Sequence, residues 1–253
     1  MVYGLVLAAG FGSRLGYDMP KALIPWGAKP ALPSTPKGLG AKARAALMPP
    51  KETGPTILDH QLDHLARAGI GEIWIVVGFQ ARKVKAHVGK RPGIRFVENK
   101  EYMDTQNGKS MLVGLQSMPA GGVVTLNADV VFDPGIVEDL IAEPDRSSFA
   151  AIPKVCGEEE MKYRVAEGRL QAVSKQVHGE GELIGINYIA PADRPLLERA
   201  LAYNDAGQYY ERSFDQMLPF TKHPVRVLPI TPRRAMEIDF PEDLEAARLM
   251  FAP

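Results

Sequence analysis

The amino-acid sequence predicts an α/β fold in one domain, with a mostly parallel mixed sheet flanked by helices. Short apolar segments rich in β-branched residues alternate with amphipathic segments through the first half of the chain, which is typical of a parallel sheet wrapped by helices. In the second half, shorter β-rich segments are separated by glycines, which predicts a small antiparallel subregion. The length of 253 residues suits one large domain over residues 1–253.

The first half supplies the parallel part of the sheet. Four short apolar segments are predicted as strands: Val2–Ala8, Glu72–Gly78, Ile94–Glu98 and Val123–Asn127. Helices are predicted between them at Thr56–Ala68 and Lys109–Met118, because each of these segments places its apolar residues on one face.

The second half is predicted to pack on this sheet. After Phe149–Pro153, short antiparallel strands are expected at Arg164–Ala166, Gln171–Ser174 and Leu183–Ile189. The elements expected after them are helices Ala192–Asn204 and Tyr209–Leu218, strands Val225–Ile230 and Met236–Asp239, and a final helix Pro241–Met250. Pro241 suits the first turn of that helix.

One segment does not fit a compact sheet unit. Ala28–Pro55 contains six prolines, three glycines and five lysines or arginines, without sustained periodicity. It is predicted to be an inserted loop at residues 28–55, either an active-site lid or disordered, with a partial helix possible at Ala41–Met48. Its lysines offer positive charge to an anionic substrate: Lys37, Lys42 and Lys51.

The composition excludes several classes of protein. The 30 basic and 30 acidic residues cancel, so there is no general electrostatic reason to bind a nucleic-acid backbone or an anionic membrane. The single cysteine, Cys156, has no partner for a disulfide or a thiolate metal cluster. The apolar N-terminal stretch is too short to span a membrane and lacks a basic leader. A cytoplasmic protein is therefore expected.

Three glycines, Gly10, Gly12 and Gly16, follow the first predicted strand. Small residues at this position let backbone N–H groups approach phosphate oxygens closely. Arg14 and Lys21 then add a guanidinium fork and an ammonium. These groups together offset much of the charge of a nucleoside triphosphate, so this loop is predicted to bind one.

Two other interpretations of the loop remain open. The glycine pattern also occurs in dinucleotide-binding folds, but those need a continuous helix beginning inside the turn, and Pro20 would break such a helix. Those folds also need an acidic residue at the end of the second strand, where Ile75–Phe79 has none. The second interpretation is a simple connecting turn, which does not explain why Arg14 and Lys21 follow it.

Two aspartates follow predicted strands and suit a divalent cation. Asp129 lies directly after the strand Val123–Asn127, and Asp239 ends the apolar stretch Met236–Asp239. Magnesium in nucleotide sites takes one or two protein carboxylates together with phosphate oxygens and water. Mg²⁺ is therefore the predicted cofactor. The alternatives are an ordinary turn at Asp129 and a helix N-cap at Asp239, before Pro241.

The segment LAAGFGSRLGYDMPKAL resembles the signature of the sugar-phosphate nucleotidyltransferase superfamily. The resemblance implies a Rossmann-like fold of the nucleotide-diphospho-sugar transferase type. It also implies that Arg14 and Lys21 are catalytic and contact phosphates, and that Asp129 and Asp239 jointly hold magnesium. Residues expected to bind the nucleotide are Leu7, Ala8, Ala9, Gly10, Gly12, Ser13, Arg14, Gly78, Asn107, Ser110, Asn127 and Ala128.

The stretch Glu158–Gly185 is similar to the middle of bacterial phosphocholine cytidylyltransferases and their phosphonate-directed relatives. This similarity implies a CTP-dependent enzyme that joins CMP to a small phosphorylated or phosphonate acceptor and releases pyrophosphate. The segment DTQNGKSML lacks the Q-x-G-T-A/G pattern of many hexose-phosphate members, which also favours CTP. A sugar-1-phosphate nucleotidyltransferase is the alternative.

In such relatives an acceptor's ammonium is held by aromatic rings and carboxylates. The resemblance therefore implies an acceptor-binding subregion at about residues 154–222, with contacts from Gly185, Tyr209, Tyr210, Glu211 and Asp215. Aromatic residues at helical spacing are also typical of a core, so both interpretations of the tyrosines remain. Lys162 is the expected further catalytic lysine, and Lys175 is the competing choice.

A second copy of the chain, in a homodimer, is a possible partner. A catalytically silent nucleotide sensor or assembly subunit is an alternative from another class of function, since it would have the same fold. A metal-dependent glycosyltransferase would not need the glycine loop with Arg14 and Lys21. Retention of these two cations together with Asp129 and Asp239 favours the enzyme.

Overall fold

The computed structural model describes residues 1–26 and 54–251. The predicted inserted loop, with its partial helix at Ala41–Met48 and its lysines, lies outside the described residues except for its last two positions. In the described part, the strands are β1 Val2–Ala8, β2 Ile73–Val77, β3 Ile94–Glu98, β4 Gly122–Asn127, β5 Val130–Phe132, β6 Ser148–Ile152, β7 Lys162–Ala166, β8 Arg169–Ser174, β9 Gly181–Ile189, β10 Arg226–Pro229 and β11 Ala235–Glu237.

The helices are α1 Ile57–Arg67, α2 Ala81–Val88, α3 Asn107–Gln116, α4 Ile136–Leu140, α5 Arg194–Tyr203, α6 Tyr210–Met217 and α7 Pro241–Met250. Three short 3₁₀ helices lie at Ser13–Leu15, Lys21–Leu23 and Leu218–Phe220. None of these described helices is long and apolar enough to cross a membrane.

The main sheet has the strand order β10-β6-β9-β4-β1-β2-β3. Strands β4, β1, β2 and β3 run parallel, whereas β9 is antiparallel to both β4 and β6. The hairpin β7–β8 joins this sheet through β7, which pairs with β9. The predicted mostly parallel mixed sheet with a small antiparallel part is confirmed.

The chain changes direction across the sheet at β1. From β1 it passes outward to β2 and β3, and it then returns to β4 on the other side of β1. The carboxyl ends of β1 and β4 are adjacent, with Leu7 opposite Asn127. Ligands of open α/β sheets bind in the crevice at such a switch point. The fold therefore places the predicted phosphate loop and Asp129 together.

Alternate residues of β1 face two different cores, as the two-residue period of a strand requires. Val6 and Ala8 pack with α1 residues such as Leu58. Leu5 and Leu7 pack on the opposite face in a core that includes Met111 of α3 and also holds residues of α5 and α6. The sheet is thus covered on both sides, which is why its central strands are continuously apolar.

Three elements were not predicted: α2, β5 and α4. Helix α2 buries only Val84 and Val88, which is too weak an apolar pattern to stand out in the sequence. Strand β5 and helix α4 have three and five residues, and elements this short depend on tertiary partners. Strand β5 exists because it pairs with β11.

His60 on α1 lies in an apolar setting. Its Nε2 accepts a hydrogen bond of 3.0 Å from the backbone N–H of Phe132, and its ring packs against those of Trp26 and Phe132. Burial, followed by the neighbouring His64, lowers the pKa of His60 to about 4. The native state therefore holds a neutral imidazole.

We expect this histidine to make the protein acid-sensitive. The unfolded chain binds a proton at His60 near pH 6.5, whereas the native state binds it near pH 4. The contribution of neutral His60 to the free energy of unfolding is thus fully present above pH 6.5, and it is lost progressively as the pH falls from 6.5 to about 4. Melting temperatures of the wild type and His60→Gln, measured from pH 4 to 7.5, should converge toward low pH. Parallel curves would contradict this.

Candidate active site

A cavity of about 470 Å³ opens at the switch point between β1 and β4. Its walls contain most of the residues predicted to bind the nucleotide and the metal: Leu7, Ala8, Ala9, Gly10, Gly12, Arg14, Lys21, Asn107, Ser110, Asn127, Ala128, Asp129 and Asp239. These residues come from the loop after β1, the start of α3, the end of β4 and the segment after β11. The structure therefore brings the predicted loop and the two aspartates into one site.

Two features position Lys21. Pro20 precedes the 3₁₀ helix Lys21–Leu23, whose Ala22 and Leu23 are buried and hold this turn in the core. Gly12 has a left-handed backbone (φ 59°), and a Cβ there would lie 3.1 Å from the Cβ of Lys21. The missing side chain at Gly12 lets the glycine loop close over the base of Lys21.

The ammonium of Lys21 bridges the two aspartates. Its Nζ donates to Oδ2 of Asp129 at 2.9 Å and to Oδ1 of Asp239 at 2.5 Å. Burial alone would lower the pKa of Lys21, but the two carboxylates outweigh it and raise this pKa. Lys21 is therefore a permanent cation at the base of the cavity.

Arg14 adds a second, more exposed cation. Its Nη1 lies 3.2 Å from Oδ2 of Asp239, and its side chain is 57% exposed. The guanidinium also lies 5.5 Å from the ring centroid of Phe240. Arg14 thus remains accessible to an anion that enters the cavity.

The aspartates meet because of a two-stranded ribbon. Strands β5 and β11 are antiparallel, with Glu237 opposite Val130, and the next backbone contact joins the N–H of Ile238 to the carbonyl of Asp129 at 2.9 Å. The N-cap of α7 is Phe240 rather than Asp239. The alternative that Asp239 is a helix cap is therefore wrong, and its carboxylate is available to the cavity.

The carboxylate pair suits a divalent cation. Oδ1 of Asp129 is buried and has no hydrogen-bond partner among the described residues, and an unpaired buried carboxylate oxygen calls for a ligand. In the same part of the chain, no group of three or more His, Cys, Asp or Glu residues could hold a metal. Such a site would depend on substrate oxygens to complete its coordination, as magnesium sites on phosphates do.

The wall opposite the glycine loop is built by α3 and the turn before it. Ser110 is buried and its Oγ accepts a hydrogen bond of 3.0 Å from Nδ2 of Asn99. Six further lining residues were missed in the sequence: Phe11, Ala22, Tyr102, Met103, Thr105 and Gln106. Phe11 is 56% exposed and packs against Phe79. Three of the six, Phe11, Ala22 and Gln106, are adjacent in the sequence to predicted site residues, and that position is the signal that could have identified them.

Several predicted residues lie outside the cavity lining. Gly78 packs behind the wall against Tyr102. Lys162 on β7 donates from Nζ to the carbonyl of Lys175 at 2.5 Å, and the ammonium of Lys175 pairs with Glu159. Neither lysine lines the cavity, so the catalytic role expected of Lys162 stays a prediction.

The predicted acceptor residues divide into a rim and an interior. Tyr209 is 45% exposed and lines the cavity. Tyr210 is buried in the core, and Asp215 accepts a hydrogen bond of 3.0 Å from the backbone of Val173, tying α6 to β8. Gly185 faces Asn127 from β9. Of this set, only Tyr209 reaches the cavity surface.

Two further carboxyl groups, those of Glu211 and Glu237, lie on this side of the site. Glu211 is 8% exposed, and its Oε2 has no hydrogen-bond partner among the described residues. Burial raises the pKa of Glu211 to about 7. Burial, together with the negative charges of Asp129 and Glu182, also raises the pKa of Glu237 well above its usual range. The interior beside the aspartates is therefore rich in carboxyl groups and favours a cation.

This chain is similar in sequence and in fold to known nucleotidyltransferases. The family model of the MobA-like NTP transferase domain matches residues 4–235. CMP-5'-(3-aminopropyl)phosphonate synthase of Streptomyces rubellomurinus is 28% identical over all of this chain, which spans 39% of that protein's length. The 2-aminoethylphosphonate cytidylyltransferase of Lancefieldella rimae is 22% identical over 80% of this chain and 74% of its own.

A solved structure shows the same fold. CTP:phosphocholine cytidylyltransferase of Streptococcus pneumoniae superimposes with a TM-score of 0.70 at 18% identity, covering 98% of each chain. Together, the matches confirm the resemblance to phosphocholine and phosphonate cytidylyltransferases that was based on Glu158–Gly185.

The glycine loop gives a matched test of how Lys21 is positioned. Gly12 and Gly16 both have left-handed backbones, but Gly16, unlike Gly12, does not line the cavity, and a Cβ there would meet no atom within 4 Å. Both alanine variants should lose roughly 1–2 kcal/mol of stability. Only Gly12→Ala should displace Lys21 and weaken triphosphate binding, by about tenfold. Calorimetric titration with a non-hydrolysable triphosphate measures this, and equal affinities of the two variants would contradict it.

Proposed function

The chain belongs to the MobA-like NTP transferase family, and on this premise we propose that it is a magnesium-dependent cytidylyltransferase. In this proposal the enzyme joins CMP from CTP to a small phosphonate or phosphate acceptor that carries an ammonium group, and it releases pyrophosphate. This chain spans 39% of the length of its Streptomyces relative, so the reaction, the substrates and the metal are all part of what we propose.

The observation that carries the proposal is the meeting of Lys21 and Arg14 with Asp129 and Asp239 beneath the glycine loop. The charges of the two cations and the two carboxylates cancel in this cluster. A triphosphate that enters the cavity can pair with Lys21 and Arg14 in place of the carboxylates, which then become free to bind a metal. A dinucleotide or a neutral ligand would not require this arrangement. It suits a nucleoside triphosphate that binds together with a divalent cation.

Asp129 and Asp239 are the residues that would hold magnesium. The unpartnered Oδ1 of Asp129 supports this assignment. When bound, the cation supplies charge neutralisation at the phosphates. The protein's own contribution is to hold both carboxylates on the β5–β11 ribbon at the edge of the cavity.

The reaction needs no side-chain nucleophile. An oxygen of the acceptor attacks the α-phosphorus of CTP, a new P–O bond forms, and the bond from the α-phosphorus to the bridging oxygen breaks. Pyrophosphate leaves with that electron pair. Lys21 and Arg14, which line the cavity, would neutralise the charge that develops on the phosphates.

The acid-rich interior supports an acceptor with an ammonium group. Tyr209 lies at the cavity rim, Glu211 is buried nearby, and both Glu211 and Glu237 have raised pKa values. A cation that entered this region would favour the ionised carboxylates and could contact the tyrosine face. The names of the two phosphonate relatives describe acceptors of this class.

A substrate panel tests the proposal. Purified protein is mixed with Mg²⁺, each of the four ribonucleoside triphosphates and each acceptor: phosphocholine, 2-aminoethylphosphonate, 3-aminopropylphosphonate, inositol 1-phosphate and glucose 1-phosphate. Pyrophosphate release should be greatest with CTP and an acceptor that carries an ammonium.

The panel separates the alternatives. If pyrophosphate release were greatest with glucose 1-phosphate, the protein would be a sugar-1-phosphate nucleotidyltransferase and the proposed acceptor class would be wrong. Triphosphate binding without pyrophosphate release for any pair would leave a nucleotide-sensing protein on the same fold and would refute the enzyme.

Magnesium use has its own test at Asp129. Asp129→Asn removes one negative charge from the carboxylate pair, so the Mg²⁺ concentration for half-maximal activity should rise at least about tenfold. Asp133→Asn is the matched control, because Asp133 lies in the same chain segment but pairs with Arg234 at 2.8 Å outside the cavity. An equal magnesium requirement in the two variants would remove Asp129 from the metal site.

A further inference from the structure

Tyr210 lies behind the cavity wall and contacts residues from two sides of it. Its side chain is 1% exposed, and its ring packs against Phe214, which in turn stacks on Phe149. The ring is therefore held in the core and is not available to a substrate. Its polar groups nevertheless contact two asparagines that line the cavity, Asn127 and Asn107.

The first contact comes from the phenol. The hydroxyl of Tyr210 donates to Oδ1 of Asn127 at 3.1 Å. Burial raises the pKa of Tyr210 well above its usual range, and the adjacent Glu211 carboxyl raises it further. The phenol therefore keeps its proton and remains a donor, and the side chains of Glu211 and Asn187 also interact with it. Since this contact engages the amide oxygen of Asn127, it leaves the amide nitrogen for another partner.

The free amide nitrogen lies on the side of β9. A Cβ at Gly185 would be 2.5 Å from Nδ2 of Asn127, and Gly185 has a left-handed backbone (φ 67°). Gly185 thus leaves the space that this nitrogen occupies. Asn127 is half-buried and lines the cavity, and its amide nitrogen is not among the buried side-chain atoms that lack a partner in the described residues. Its N–H donors are therefore accessible to solvent.

The second contact comes from the backbone. The N–H of Tyr210 donates to Oδ1 of Asn107 at 3.0 Å, which ties the start of α6 to the start of α3. One residue thus links the α3 wall to the end of β4. Because both hydrogen bonds come from Tyr210, a shift of α6 would affect Asn107 on the α3 wall and Asn127 at the end of β4 together.

We propose that Tyr210 is a positioning residue that orients the amide of Asn127, so that its nitrogen donates to a phosphonyl or phosphoryl oxygen of the acceptor. This rests on the proposed function for the presence of an acceptor. It also gives Asn127 a role different from the nucleotide binding that the resemblance implies: its oxygen is held by Tyr210, and its nitrogen is a donor to the acceptor's anionic group.

The test uses Tyr210→Phe, which keeps the ring and the backbone N–H and removes only the hydroxyl. The acceptor kcat/KM should fall at least about tenfold, whereas the KM for CTP should change less than about twofold. Asn127→Ala should show the same pattern. The double variant should be no worse than Asn127→Ala alone, because both changes remove one interaction.

Tyr188→Phe is the matched control. Tyr188 is also fully buried, and its hydroxyl donates to the carbonyl of Pro144 at 2.7 Å, outside the cavity lining. It should lose stability as Tyr210→Phe does, without the change in acceptor kinetics. If the two variants had the same kinetics, Tyr210 would be a structural residue and the proposal would fail.

Asn127→Asp tests the direction of the amide. Aspartate can still accept from Tyr210 but presents an anionic oxygen where the donor was, so the acceptor KM should rise more than in Asn127→Ala. A larger effect on the KM for CTP, or no effect on the acceptor in either Asn127 variant, would overturn the proposal even if Tyr210→Phe did not fold. Activity of the wild type on the substrate panel distinguishes this failure from failure of the proposed function.

Discussion

The ion cluster of Lys21 with Asp129 and Asp239 is the interaction around which the rest of the site is arranged. A buried ammonium is tolerated only where carboxylates compensate its desolvation, and here each carboxylate lies within 2.9 Å of it. The need to hold Lys21 between the two carboxylates explains three local features. Gly12 leaves room for Lys21, the turn at Ala22 and Leu23 is buried, and the β5–β11 ribbon brings the two aspartates together.

The cluster also explains why the site suits a triphosphate bound with a metal. Lys21 and Arg14 satisfy both oxygens of Asp239 and one oxygen of Asp129, so the ligand-free pair carries little net charge. In the proposed reaction, phosphate oxygens offer these cations more negative charge than the carboxylates do. The carboxylates are then released for the cation that accompanies the nucleotide, and binding of the two ligands is coupled.

Much of the fold was predictable because its signals are local. The boundaries of β1 and β3 match their predicted ranges. Strand β1 is an uninterrupted apolar run, which is typical of a buried parallel strand, whereas β3 is a partly exposed edge strand recognised by its β-branched and aromatic residues. Helix α2 and strand β5 were missed because their stability comes from partners distant in the sequence. The same distinction holds in the site: the glycine loop was found from its spacing, whereas Phe11, Met103 and Gln106 carry no chemical signal and line the cavity only because the turns meet there. Tyr210 and Tyr209 are adjacent and chemically alike, but one is buried and the other lies at the rim.

The sequence by itself determined the class of site: a glycine loop with Arg14 and Lys21 after the first strand, and two carboxylates after later apolar stretches. These features could be predicted because each depends on residue types that lie close together in the sequence. The resemblance implied that Asp239 and Asp129 act together, but only the tertiary structure showed how they meet: a backbone contact from Ile238 to Asp129 at the end of the β5–β11 ribbon joins segments about a hundred residues apart. It also decided that Tyr210 lies behind the wall, since the helical face that is buried depends on which strands and helices pack against α6.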